Sequence, residues 1–136
     1  MQFNQTTDYA FRIVLYLSSL PPGEIVSAQA IASREQIPMR FLQKIMRSLV
    51  KAGLILSHRG VAGGFSLAKA PGEISLLNVV EVMEGPVCIN RCFIDEDYCT
   101  KNWAGRCPVH QALAGIQSTM IRELGRHNFA DLVKPK

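Results

Sequence analysis

All four cysteines of the chain fall between Cys88 and Cys107, and the segment that holds them, Cys88, Cys92, Cys99 and Cys107, closes on His110. The residues in between, among them Asn90, Asp95, Asp97, Asn102 and Gly105, are turn formers and polar groups without a helical or strand period. Such a segment is shaped by what it binds rather than by a hydrophobic face, so the core has to come from elsewhere in the chain. No apolar run reaches the ~18 to 20 residues of a membrane span, and the N-terminus lacks the basic region and cleavage site of a signal peptide. These features predict a cytoplasmic protein with no membrane partner. Cytoplasmic thiols are kept reduced, so clustered cysteines read as ligands or redox sensors rather than as disulfides.

With 136 residues, 48% of them apolar, the chain is sized for one domain with an appendage and has ample material for a core. Its net charge of +4 is concentrated. Between Arg34 and Arg59 six basic residues (Arg34, Arg40, Lys44, Arg47, Lys51, Arg59) stand against the single acid Glu35, and the remainder sums to −1. A basic face confined to one stretch is the electrostatic footprint of a phosphate backbone.

The order of elements around that stretch is informative. Thr6 or Thr7 is a candidate cap for a first helix that is apolar on nearly all sides until Pro21, Pro22 and Gly23 stop it. Ser27 caps a short second helix, and after a break at Gln36 and Ile37, Pro38 sits at the first position of a third helix that ends at Gly53. Phe41, Leu42, Ile45, Met46 and Leu49 form the buried stripe of this third helix, with Arg40, Gln43, Lys44, Arg47 and Lys51 on the opposite side. A solvated charged face would look the same in isolation. The order of short helix, tight break and basic second helix is what favours a helix-turn-helix.

Beyond Gly53 the period changes to that of two short strands, 54–58 and 65–68, joined by a glycine-rich connection from Arg59 to Gly64. A hairpin behind a helix-turn-helix is a wing, with Arg59 at its tip placed to enter a minor groove. Neither a Gly-Lys-Ser/Thr ending nor a GxGxxG frame marks these glycines as a nucleotide loop. Ser75 then caps a helix that Gly85 and Pro86 terminate, and Pro108 opens a long helix whose stripe is Val109, Ala112, Leu113, Ile116, Met120 and Leu124. That stripe has little to pack on within a domain of this size, which points to the equivalent helix of a second subunit.

Five pieces in order, Thr7-Asp8-Tyr9-Ala10-Phe11-Arg12, Arg59-Gly60-Val61-Ala62-Gly63-Gly64-Phe65, the trio Cys92, Cys99 and Cys107, the helix opening Cys107-Pro108-Val109-His110, and Ala130-Asp131-Leu132-Val133, resemble the IscR/NsrR group of winged-helix transcription regulators, the Rrf-two family, over essentially the whole chain. The resemblance implies a mainly α fold: a winged helix-turn-helix with a short β-hairpin wing and a long C-terminal dimerisation helix. It divides the chain into a DNA-binding domain (1–86), a cysteine loop (87–107) and a dimerisation helix with the C-terminal tail (108–136). It further implies a homodimer on a palindromic double-stranded promoter site, contacted by Arg40, Gln43, Lys44, Arg47, Ser57, Arg59 and Gly60, with Val109, Leu113, Ile116, Met120 and Leu124 in the dimer seam.

It also implies an iron-sulfur cluster at Cys92, Cys99 and Cys107. Thiolates are the soft ligands such clusters prefer, and Arg91, Lys101 and Arg106 would favour the deprotonated form. Zinc is the rival, but its structural sites usually draw on closely paired cysteines, whereas six and seven residues separate these three. A bare thiol sensor is the third possibility. The spacings are wider than in the IscR-like loop, and three fourth-ligand candidates are present: His110 matches the histidine of IscR-like members, Asp8 the acid of NsrR-like members, and Cys88 is a spare thiol. Asp8 and Cys88 put a four-iron cluster ahead of a two-iron one. An enzyme would need more than Cys107 and His110 on one helical turn, since no orienting group or oxyanion donor accompanies them.

Overall fold

The computed structural model describes residues 2–103 and 105–134; Met1, Pro135 and Lys136, at the ends of the segments 1–86 and 108–136, and Ala104 in the cysteine loop lie outside them. The order is α1 (Gln5–Ser18), α2 (Ala28–Glu35), α3 (Met39–Lys51), β1 (Ile55–His58), β2 (Gly64–Leu67), α4 (Leu76–Glu84), α5 (Pro108–Arg126) and α6 (Phe129–Leu132). This is the mainly helical winged helix-turn-helix expected from the sequence.

Local chemistry explains most boundaries. The cap of α1 is Asn4, whose Oδ1 accepts the Thr7 N–H at 2.9 Å, and not Thr6 or Thr7 as expected. Thr7 is fully buried and its hydroxyl donates at 2.6 Å to Glu84 Oε2, so the far end of α4 supplies a carboxylate where the first turn of α1 favours one. The helix buries Ala10, Ile13, Val14 and Leu17 but exposes Leu15, so its apolar surface is divided between the core and solvent. Ser27 caps α2 by accepting from Ala30 N at 3.2 Å, and the helix breaks at Gln36 in the left-handed region, φ 57°. Pro38 is the N-cap of α3 rather than its first residue. Leu42, Ile45, Met46 and Leu49 are buried beneath α3, while Phe41 is half-buried against Tyr9, ring centroids 6.1 Å apart.

The hairpin is antiparallel, pairing Ile55 with Leu67 and Ser57 with Phe65. Near its turn the second strand is tied to the start of α2 by reciprocal hydrogen bonds between Val26 and Phe65 at 2.9 and 2.8 Å. A Cβ at Gly64 would collide with the Val26 carbonyl, which is why this approach requires glycine. Ser75 and Asn78 form a capping box on α4.

The cysteine loop follows, with two single 3-10 turns at Arg91–Phe93 and Glu96–Tyr98, and then α5. Its 19 residues span about 28 Å, and none of them is buried. After α5 the chain turns back into the first unit, where Phe129 is 1% exposed in the core. Its N–H donates to Ile74 O at 3.0 Å while Leu76 N donates to His127 O at 2.9 Å. This docking of α6 was not expected from the sequence. Among the described residues no helix is long and apolar enough to cross a membrane.

Candidate cysteine centre and nucleic-acid face

The residues expected to meet nucleic acid are all exposed on the N-terminal unit, and Gln43, Arg47 and Ser57 among them line one cleft between α3 and the hairpin. Arg40, Gln43, Lys44 and Arg47 are exposed on α3, and Ser57, Arg59 and Gly60 are exposed on the hairpin and its tip. Hydrophobic burial of the opposite face of α3 fixes this orientation, since turning the basic residues inward would bury unpaired cations. Arg40 folds over the ring of Phe41, 4.8 Å from its centroid. Among the described residues, none of Arg40, Lys44, Arg47 and Arg59 makes an ion pair within the chain, leaving these cations available to phosphates.

The cysteine loop brings together Cys92, Cys99, Cys107 and His110, which line a single pocket of about 170 Å³ with Asn90, Tyr98 and Val109. The thiol of Cys92 lies 3.0 Å from His110 Nδ1, and the imidazole also packs against Phe93 with ring centroids 4.4 Å apart. The Cys–His pair is therefore Cys92–His110, across the loop, and not Cys107 with His110 along the helix. Phe93 was not anticipated; its place beside Cys92 was the available signal.

The Cys99 thiol is held below its ordinary pKa, chiefly by hydrogen bonding from the backbone at Trp103 and then at Lys101; the Lys101 charge contributes least. The expected electrostatic help from side-chain cations is thus secondary. Lys101 sits over Trp103 at 3.5 Å and Arg91 over Tyr98 at 4.9 Å. Three thiols, one of them Cys99 with its lowered pKa, and an imidazole around one pocket are a donor set that fits a thiolate-held iron-sulfur group. Among the described residues no three His, Cys, Asp or Glu side chains converge closely enough to hold one metal ion.

The other fourth-ligand candidates lie apart. Cys88 donates to Asn90 O at 3.0 Å and lines a different, mostly apolar pocket with Phe3, Ile94 and Met120. Asp8 is exposed on α1, paired with Arg12 at 3.1 Å. Arg12 also donates to the Glu35 carbonyl at 3.2 Å, joining Asp8 to the last turn of α2 at the helix-turn-helix break. On α5, Val109 and Ile116 are exposed and Leu113, Met120 and Leu124 half-buried, and Gln117 accepts from Ile89 N at 3.0 Å, pinning the loop's start to the helix.

A family model described as Rrf2, iron-dependent transcriptional regulator, matches residues 3–135. Among solved structures the fold is similar to the global cysteine regulator CymR (YrzC) of B. subtilis, with a TM-score of 0.77 and 22% identity over 97% of this chain and 95% of that one. It is also similar to IscR of T. potens, with a TM-score of 0.77 and 21% identity over 98% and 86%. The oxidized form of Staphylococcus aureus CymR matches with a TM-score of 0.76 and 20% identity over 100% and 98%.

Proposed function

The chain belongs to the Rrf2 family of iron-dependent transcriptional regulators, and we propose that its promoter binding is set by an iron-sulfur cluster held at Cys92, Cys99 and Cys107. It is a DNA-binding transcription regulator and not an enzyme. The observation that carries the cluster reading is the shared pocket of the three thiols and His110. Donors spread around a pocket suit a polynuclear group better than a single zinc ion, whose ligands must converge on one point. Such a group supplies redox and ligand-exchange chemistry that oxygen, nitric oxide or peroxide can alter.

The chain's own residues carry the rest. Cys92 lies against His110, and backbone hydrogen bonds hold the Cys99 thiol below its ordinary pKa. In a homodimer seamed by Val109, Leu113, Ile116, Met120 and Leu124, Asp8 of one subunit would reach the partner's loop as fourth ligand of a four-iron cluster. Asp8 taken up in that way has to leave Arg12 or draw it along, and Arg12 holds the end of α2. Loop state and helix-turn-helix position are then coupled by the ~1 to 3 kcal/mol usual for allostery. Two-fold symmetry sets the two α3 helices ~34 Å apart on an imperfect palindrome. Residues 1–86 bind DNA, 87–107 hold the cluster and 108–136 join the subunits, with Phe129 tying the last segment to the first. The protein acts in the cytoplasm.

The test is anaerobic purification followed by iron and sulfide assay with visible and Mössbauer spectroscopy. A brown protein with sulfide and about four irons per subunit is expected. Zinc without sulfide would establish the metal alternative, and a metal-free protein with equal DNA affinity before and after thiol oxidation would remove sensing at this loop.

A further inference from the structure

The residues that lead from α4 into the cysteine loop are clamped at both ends. At the first end Glu84, the last residue of α4, holds the start of α1: its Oε2 accepts the Thr7 hydroxyl at 2.6 Å and the Asn4 N–H at 3.2 Å. At the second end the Ile89 N–H donates to Gln117 Oε1 on α5 at 3.0 Å. Gly85, Pro86, Val87 and Cys88 thus form a strap between α1 and α5, turned at Gly85 by a φ of 81° that favours glycine and stiffened by the proline. The clamp on Thr7 is specific. Thr7 is fully buried, and its hydroxyl has a single proton to give. Asn4 Oδ1, 3.0 Å away, already accepts the Thr7 N–H and the Thr6 hydroxyl, so the nearer carboxylate takes it. A charged acceptor makes the stronger bond, and the first turn of a helix favours a carboxylate. Val79 and Val80 anchor α4 in the core, whereas none of the residues from Glu81 to Glu84 is buried. The end of α4 is therefore held by Thr7 on one side and by the strap on the other.

We propose that Glu84 and Thr7 are positioning residues for Asp8: through the strap, the state of the cysteine loop sets the placement of the first turn of α1 in the same subunit. This role rests on the cluster reading and on Asp8 as ligand, and it adds a route within one subunit to the one across the dimer. Asp8 follows Thr7 directly, so a single turn carries Thr7 inward against Glu84 and Asp8 outward into solvent. One turn further on, Arg12 pairs with Asp8 at 3.1 Å and donates to the Glu35 carbonyl at 3.2 Å. A loop that displaces Cys88 pulls on Glu84 through Gly85, Pro86 and Val87, Glu84 draws Thr7, and the first turn takes Asp8 and Arg12 with it. Glu84 itself meets neither cluster nor DNA; it acts through Thr7.

Coupling of this kind is reciprocal, so it shows in the protein without a cluster. In the cluster-free full chain, amide hydrogen exchange is followed over residues 3–12 and 85–90. Three variants are compared: Thr7→Val, which keeps the shape but cannot donate, Thr7→Ser, which can, and Glu84→Ala, which removes the acceptor from the exposed side and spares the core. Thr7→Val and Glu84→Ala are expected to speed exchange about fivefold in both segments, and Thr7→Ser in neither. In the anaerobically prepared, cluster-loaded protein the same two variants should shift the visible circular dichroism in the sense of Asp8→Ala. They should also reduce the ratio of loaded to cluster-free DNA affinity by about threefold or more while the cluster-free affinity is kept, and Thr7→Ser should restore both. Faster exchange confined to 3–12, with the strap at the wild-type rate, overturns the transmission. An affinity ratio that Thr7→Val and Glu84→Ala both leave intact overturns the positioning role while cluster control stands. A ratio of one already in the wild type removes cluster control itself, and the positioning of Asp8 with it.

Discussion

Ile116→Glu discriminates sharply between a free and a partnered α5. Ile116 is 55% exposed in the subunit, and glutamate is at least as good a helix former as isoleucine. For a solitary chain the change is therefore worth no more than about 0.5 kcal/mol. In a two-fold seam the same position is buried twice. Each copy forfeits about 1 kcal/mol of apolar burial on its exposed half and adds a carboxylate desolvation of at least ~2 kcal/mol. Doubled by symmetry, this is ~6 kcal/mol, or a dissociation constant raised by roughly ten-thousand-fold. Sedimentation velocity over a dilution series should show dimers for the wild type and monomers for the variant. Urea unfolding should depend on protein concentration only in the wild type. A variant that remains dimeric with an unchanged dissociation constant refutes the α5 seam.

Four further outcomes follow from named contacts. Arg59→Ala should cost ~1 to 3 kcal/mol and relax preference where the wing lands, whereas Lys44→Ala should weaken every duplex alike and lower the salt slope by roughly one; fluorescence anisotropy at several salt concentrations separates them. Phe129→Ala should destabilise the fold by about 3 to 5 kcal/mol, read by urea denaturation, because the side chain is enclosed in the core although it follows the exposed α5. In the reduced, cluster-free protein, Cys99 should react with iodoacetamide at a lower pH than the same cysteine in an unfolded peptide. Its depressed pKa favours the folded loop above the ordinary thiol range and loses that effect as the pH falls through the lowered value; equal pH profiles by mass spectrometry would contradict it. Asp8→Ala should alter both the visible spectrum and the DNA affinity of the cluster-loaded protein, and a change in neither removes Asp8 as a ligand.

The elements of this protein are written in short-range chemistry, which is why they are legible without coordinates. Ser27 and Ser75 cap helices by reaching three residues ahead, the break after α2 needs only a residue tolerating the left-handed region, and the stripe of Leu42, Ile45, Met46 and Leu49 orients α3 by its period alone. The basic face is the complement of that stripe, so it too could be read directly, as could the confinement of the thiols to one loop.

Long-range contacts decided what remained. Asn4 rather than a threonine caps α1, and Glu84, seventy-seven positions from Thr7 in the chain, takes the Thr7 hydroxyl. His110 meets Cys92 instead of Cys107 because the loop folds over the start of α5. Phe129 enters the core because the backbone after α5 pairs with Ile74 and Leu76, and the cleft between α3 and the wing exists because Val26 holds the hairpin in place. A helical or strand period encodes which face of an element is buried, but a contact between distant segments depends on how all the faces pack at once. That is why the identity of the donors was contained in the sequence while their grouping around one pocket required the tertiary fold.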